Sequence, residues 1–303
     1  MTRAIVEVEI RILSDGNVEN WRVLGEAGFT ALVKVTYDDT SEFQFLFDTG
    51  GGTPALEHNV GVMKDTLKRD LSPIEMIVLS HGHWDHTAGV LKVMAMTKKR
   101  VPVLCHPDAL LHKIFTSDDG KRHEIGIHEY YTKSELESRT EVIATTEPYA
   151  IADGIMTTGV VPRTNAFEKL TGRLQKIMII RDGEEIPDLI EDDLSVVFHL
   201  KDDSVAVLTG CCHSGIVNTI SHATKVTGSS SVVGIIGGFH LHDASKERLT
   251  STVEHLGHYP LSTIAPCHCT GLRGRSALMN AFEGPFKDIG VGSVVKFEAR
   301  LTE

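Results

Sequence analysis

Glu75-Met76-Ile77-Val78-Leu79-Ser80-His81-Gly82-His83-Trp84-Asp85-His86 is the stretch on which the reading of this sequence turns. Its first half is an apolar run of strand length, and its second half holds three imidazoles and a carboxylate. Histidines at i and i+2 leaving a strand end can converge on one cation. Asp85 and His86, one turn further on, suit a second cation a few ångströms away. Nitrogen and oxygen donors together suit zinc, and also iron or manganese. The bland alternative, a solvated loop, is a poor account of so many ligand types in so few positions.

Outward from this stretch the chain alternates strands and helices. Upstream, Ala4–Leu13, Thr30–Tyr37 and Glu42–Phe47 read as strands joined by the turn signals Ser14-Asp15-Gly16 and Asp38-Asp39, followed by a helix over Pro54–Arg69. Downstream, Val90–Thr97 reads as helix, Val101–Cys105 as strand and Pro107–Phe115 as a short helix. Ser195–Leu200 and Ser204–Thr209 form a hairpin, then helix Gly215–Lys225, strand Val232–Ile236, helix Lys246–His258 and strand Thr263–Ala265. No sequence repeat is evident, and no Pro/Gly/Ser linker divides the chain. Two strands-then-helices halves fit an α+β fold, a four-layer αββα sandwich, as one domain over residues 1–303. Residues 116–147 turn polar and read as an excursion, either a flap over the site or a solvated surface loop. Arg181–Asp193 is acidic and turn-rich and reads as exposed, with no chemistry of its own.

Further motifs stand at the strand ends: Asp48-Thr49-Gly50 after FQFLF, Thr209-Gly210-Cys211-Cys212-His213 after SVAVL, Gly237-Gly238-Phe239-His240, and Pro266-Cys267-His268-Cys269-Thr270-Gly271. With His-x-His-x-Asp-His after a buried strand, this set resembles the signature of the metallo-β-lactamase superfamily, over nearly the whole chain. Within it, the later motifs look like the branch named for a dihydropterin–ribofuranosylaminobenzene-phosphate synthase of the methanopterin pathway. The resemblance implies the αββα sandwich and one or two metal ions. It also implies that Asp48 braces the histidine loop by hydrogen bonds rather than touching metal.

The chain departs from the common superfamily pattern twice. The usual Gly-His turn is replaced by Thr158-Gly159-Val160-Val161-Pro162-Arg163, and Cys211 stands where a bridging aspartate is usual. His213 is then the substitute ligand. The expected first set is His81, His83 and His213; the second is Asp85, His86 and His268, with Cys211 or Cys212 bridging or nearby. His240 competes with His268, and the one left over would bond substrate or donate a proton. Asp85 would also orient the attacking water. Arg163 and Phe167 fill the vacated motif and are read as substrate-binding, with Arg163 suited to grip phosphate or carboxylate in bidentate fashion. Lys121, Arg122, His123 and His128 could add a basic mouth.

With 303 residues, 41% of them hydrophobic, the chain can bury a full core. Thirty basic against 41 acidic side chains give a formal charge of −11, which argues against a nucleic-acid partner without excluding a small anionic substrate. No apolar run nears the roughly 20 residues that span a bilayer. The N-terminus alternates like a strand and lacks a signal-peptide pattern, so no membrane partner and a cytoplasmic location are expected. Five cysteines, four in two tight pairs beside histidines, suit a reducing compartment better than a disulfide framework. A homo-oligomer is left open. Three functions are compatible: a metallohydrolase acting on a small anionic ester or phosphoester, a pterin-transferring synthase, or a non-catalytic metal- or ligand-binding protein.

Overall fold

Alternating burial along the strands forces two sheets to share one core. The computed structural model describes residues 2–18, 22–67 and 71–300. The first sheet has the order Val294–Glu298, Ile5–Ser14, Thr30–Tyr37, Glu42–Phe47, Ile77–Val78, Val103–Cys105, Val142–Ala144. The second runs Thr263–Cys267, Val232–Gly238, Val205–Thr209, Ser195–His199, Ile155–Thr157, Ala150–Ala152. Val8, Ile10, Val33, Val35, Phe45 and Phe47 of the first sheet pack against Val196, Phe198, Ala206, Leu208 and Ile236 of the second. Gly234 is glycine for this packing, because a Cβ there would stand 2.0 Å from the Phe297 ring.

The outer faces are covered by helices. Leu56, Val60 and Met63 of helix Pro54–Leu67 and Val90 and Val93 of helix Val90–Thr97 cover the first sheet. Helices Ile216–Thr227, Lys246–Leu256 and Gly271–Ala281 cover the second through Ile216, Ile220, Leu256 and Leu278. The expected αββα layers are present. Of the helix expected over Pro54–Arg69, positions 68 and 69 lie outside the described residues. Among the described residues no helix is long and apolar enough to cross a membrane.

Two local expectations are overturned. Pro107–Phe115 is not a helix: a 3-10 turn, Pro107–Leu110, gives way to strand His112–Thr116. That strand pairs with Ile177–Arg181 in a third sheet of order Glu184–Pro187, Ile177–Arg181, His112–Thr116, Arg122–Glu124, so tertiary pairing overrides the local helical pattern. The polar stretch 116–147 is shared between this sheet and the first, through Arg122–Glu124, helix Lys133–Arg139 and strand Val142–Ala144. Arg181–Asp193 is also not an inert exposed segment, since Asp188, Asp192 and Asp193 are buried. Beyond the elements expected, strand Val294–Glu298 closes the first sheet beside Ile5–Ser14.

The topology gathers chemistry at one end. Glu42–Phe47 and Ile77–Val78 are parallel neighbours, as are Val205–Thr209, Val232–Gly238 and Thr263–Cys267. Asp48, the His81 loop, Cys211, His240 and His268 all follow the carboxyl ends of these strands, where open sheets place their ligand crevices.

Candidate metal centre

The first sheet contributes a loop that is pinned by side chains. Asp48, at a left-handed φ of 59°, accepts from Ser80 N and Ser80 Oγ, each at 2.7 Å, and lies 2.7 Å from His86 Nδ1. Ser80 Oγ in turn lies 2.9 Å from His81 Nδ1. These contacts require protons on both Nδ1 atoms and leave His81 Nε2 and His86 Nε2 as free lone pairs. Asp192 accepts from Gly82 N at 2.8 Å, and the fully buried Lys113 ammonium bonds Asp188 at 2.6 Å and Asp192 at 3.2 Å. Position 82 must be glycine, because a Cβ would meet Ala109 O at 2.6 Å and Lys113 Cε at 2.8 Å.

The second sheet contributes three arms that are held by backbone shape. Gly210 packs so closely on Ser80 Oγ that a Cβ would come within 2.1 Å. His240 and His268 adopt φ of 44° and 49°, uncommon for side chains of this size and concentrated in proteins at functional sites. His268 N is further tied to Asp15 Oδ2 at 2.8 Å.

The two halves meet in a buried cluster. His81 Nε2 lies 2.9 Å from His83 Nδ1 and 3.2 Å from His213 Nε2. His86 Nε2 lies 3.1 Å from His268 Nε2, 3.3 Å from Cys211 Sγ and 3.7 Å from Asp85 Oδ2, and Asp85 is 3.5 Å from His268. Nitrogens on a tetrahedral zinc with Zn–N of about 2.0–2.1 Å stand about 3.3 Å apart, so these spacings fit a shared cation. The charge states of the first trio agree. Burial, reinforced by His86, holds His81 well below the usual imidazole range; burial and His240 hold His213 well below it too; burial takes His83 down to about 4. All three are neutral donors at neutral pH. Burial opposes ionisation of Asp85, but His86 and His268 hold its carboxylate charged. Burial likewise opposes protonation of His268, yet Asp85 and Cys269 push it up to about 9. A cavity of about 450 Å³ opens over the cluster, lined by His83, Asp85, Cys211, His240, His242 and His268 among others.

Of the candidate residues, His81, His83, Asp85, His86, His213, His268 and Cys211 converge, with Asp48 behind them. His240 joins from the other side, its ring 4.4 Å from that of His213 and its buried Nδ1 without a hydrogen-bond partner. Of the two cysteines, Cys211 Sγ lies at His86 Nε2, and Cys212 is turned to Thr219 Oγ1 at 3.2 Å. Arg163 does not line the cavity; its guanidinium reaches Ile190 O at 3.3 Å, and its charge helps keep His213 neutral. Phe167 packs away from the cluster, against His255 at 4.9 Å and the core beneath the second sheet. Its neighbour Glu168 accepts from Val217 N and Asn218 N at the start of helix Ile216–Thr227. Lys121 and Arg122 are engaged by Asp119 and Glu185 instead of facing the cavity. Lys113, Asp188, Asp192, His242 and Cys269 are absent from the sequence-based set. For Lys113 no local signal exists, and its acidic partners sit in a segment whose composition imitates solvated surface.

Residues 44–160 match the family model described as a beta-lactamase superfamily domain. The chain is 28% identical over 274 residues to the 7,8-dihydropterin-6-methyl-4-(β-D-ribofuranosyl)-aminobenzene-5'-phosphate synthase of Methanocaldococcus jannaschii, covering 89% of this chain and 90% of that one. An uncharacterized protein of the same archaeon is 30% identical over 269 residues, with 89% and 93% covered. Among solved structures, Tm1679, described as a metal-dependent hydrolase of the beta-lactamase superfamily, aligns with a TM-score of 0.78 at 25% identity over 96% of this chain and 99% of that one. Zinc-bound PqqB from Methylobacterium extorquens shares the fold, with a TM-score of 0.52 at 13% identity over 95% and 99%.

Proposed function

This chain belongs to the metallo-β-lactamase superfamily, and on that premise we propose that it is a metal-dependent hydrolase acting on a small anionic ester or phosphoester. The observation that carries the proposal is the convergence of His81 Nε2, His83 Nδ1 and His213 Nε2 beside the Asp85, His86, His268 and Cys211 group, with His83, Asp85, Cys211, His213 and His268 lining one cavity and His81 and His86 buried. The first three would hold one cation and the second group another, with zinc the metal that best matches a nitrogen, carboxylate and thiol donor set. A cation there supplies Lewis acidity, acidifying water and stabilising negative charge that develops on oxygen.

The chain's own groups supply the rest. Asp85, ionised and close to both His86 and His268, orients the attacking water. His240 lines the cavity, positioned to bond substrate or to deliver a proton to the leaving oxygen. Asp48 and Ser80 fix the tautomers of His86 and His81, so that the nitrogens facing the cavity stay lone pairs. Half-exposed His242 at the mouth offers a further contact to an anion.

The similarity to the dihydropterin synthase over 89% of the chain favours a second reading. In it the same centre would polarise a pyrophosphate leaving group on a reduced pterin, and the attacking atom would be an aromatic carbon rather than water. The two readings separate in one experiment. Zinc-loaded protein is assayed for hydrolysis of a generic phosphodiester and for pyrophosphate release from a dihydropterin diphosphate with and without a ribofuranosylaminobenzene phosphate. Turnover of the phosphodiester supports the hydrolase. Pyrophosphate release that depends on the aromatic partner, with no phosphodiester turnover, replaces it with the synthase.

A further inference from the structure

Cys269 lies outside both donor sets argued above, yet its sulfur is inside the site. Its Sγ, Cys211 Sγ and a ring nitrogen of His268 all lie within 4.8 Å of one another. Cys269 and Cys211 both line the cavity. Successive residues of a strand point to opposite faces, and the left-handed φ of 49° at His268 breaks that alternation, so His268 and Cys269 can serve the same cavity. The backbone opposite is cut away to receive the sulfur: a Cβ on Gly238 would stand 2.7 Å from Cys269 Sγ, 2.3 Å from Gly210 O and 3.4 Å from Cys211 Cα. Of the other cysteines, Cys212 faces Thr219, Cys267 is packed in the core between the sheets, and Cys105 in the core between the first sheet and its helices.

We propose that Cys211 and Cys269 together present a two-thiolate face to the second cation position, with His268 as the nitrogen donor, so that this position selects a thiolate-preferring cation such as Zn²⁺ over Mn²⁺ or Mg²⁺. The proposal rests on the reading of the histidine cluster as a metal centre. Binding displaces whatever protons the donors carry, without any redox step. Sulfur donors favour zinc, whereas carboxylate and water suit magnesium and manganese. A thiolate pair would therefore tune the metal choice of a site whose remaining donors discriminate poorly.

The test uses Co²⁺ as a spectroscopic probe of the full-length protein. Cobalt-loaded wild type is expected to show a near-ultraviolet thiolate-to-cobalt charge-transfer band. That band should fall to about half in Cys269→Ser and in Cys211→Ser and vanish in the double variant, while about one cobalt per chain stays on the histidine set. Zinc preference over manganese, measured by competition, should drop at least about tenfold in Cys269→Ser. An undiminished band in Cys269→Ser overturns the proposal. So does a thiol titration of the denatured, unreduced protein that finds two fewer reactive thiols than the five free cysteines, because a disulfide then joins the pair. Thermal unfolding in a chelator checks that the serine variants keep the fold. Failure of the metal centre itself reads out differently: His81→Ala/His83→Ala would then lose no cobalt at all.

Discussion

The two halves of the site reach the same point by different means. The His81–His86 loop is contiguous in sequence and fixed by side chains, with Asp48 and Ser80 on one flank and Lys113, Asp188 and Asp192 on the other. The arms from the second sheet come one by one from separate strands, and backbone shape fixes them: left-handed His240 and His268, and glycines 210 and 238 at close approaches. A ligand cluster on one loop needs props because its ring orientations are otherwise soft. Ligands on separate strand ends inherit the rigidity of the sheet and need only the right turn. Loss in the first half should therefore track broken hydrogen bonds, and in the second half blocked close contacts.

The largest effect should come from the loop's ligands. His81→Ala/His83→Ala should remove the first cation, measured by metal analysis, and lower turnover by at least about a thousandfold, with far-ultraviolet circular dichroism unchanged. Unchanged metal content would end the assignment of this loop as the primary site. Next is the prop. Lys113→Met leaves two buried carboxylates without their cation and should cost about 3–5 kcal/mol in denaturant unfolding. Its pH dependence should reverse. In the wild type, burial pushes Asp192 up, but Lys113 and His83 outweigh it and hold the carboxyl low. That stability is present above the unfolded pKa of about 3.9 and is lost as pH falls through the lower folded value. Without Lys113 burial prevails, so the variant should become relatively more stable as pH is lowered toward 5. If it does not, Asp192 is not held by Lys113.

Asp48→Asn should be milder, weakening metal affinity by about 10- to 100-fold, since an amide has one acceptor oxygen where the carboxylate has two, so its NH2 must face either Ser80 N or the Ser80 Oγ and His86 Nδ1 donors. An equal loss in Gly210→Ala, where a Cβ would press on Ser80 Oγ, would show that the two halves depend on one shared contact. The smallest effect is expected outside both: Arg122→Ala breaks an exposed pair with Glu185 and should change stability by less than about 1 kcal/mol and leave KM unaltered. A raised KM for anionic substrates would restore the basic-mouth reading.

The same contrast explains what could be read from the sequence. The loop was legible because its donors are adjacent, and the strand-end histidines were legible because each closes a recognisable motif. The sequence set His240 and His268 as rivals for one place, whereas in three dimensions His268 meets Asp85 and His86 and His240 stands beside His213 and Cys211. The props were illegible. Lys113 and its acids are 75 and 79 residues apart, and PDLIEDD has the composition of solvated surface until a buried ammonium is placed among it. The local pattern of Pro107–Phe115 misleads because its second half belongs to a strand whose partner, Ile177–Arg181, is likewise remote.

One consequence concerns the order in which the molecule assembles. His81 and His213 are 132 residues apart, and His86 and His268 are 182 apart. These are among the chain's long loop closures, which are slow to form. The unfolded chain offers a cation only short local chelates, the hexapeptide and the Cys211–His213 and Cys267–Cys269 segments, and the proposed donor sets come together only after both sheets have docked. Metal uptake would then report completed folding, and at a free concentration of a thousand times Kd it would add about 4 kcal/mol to the native state.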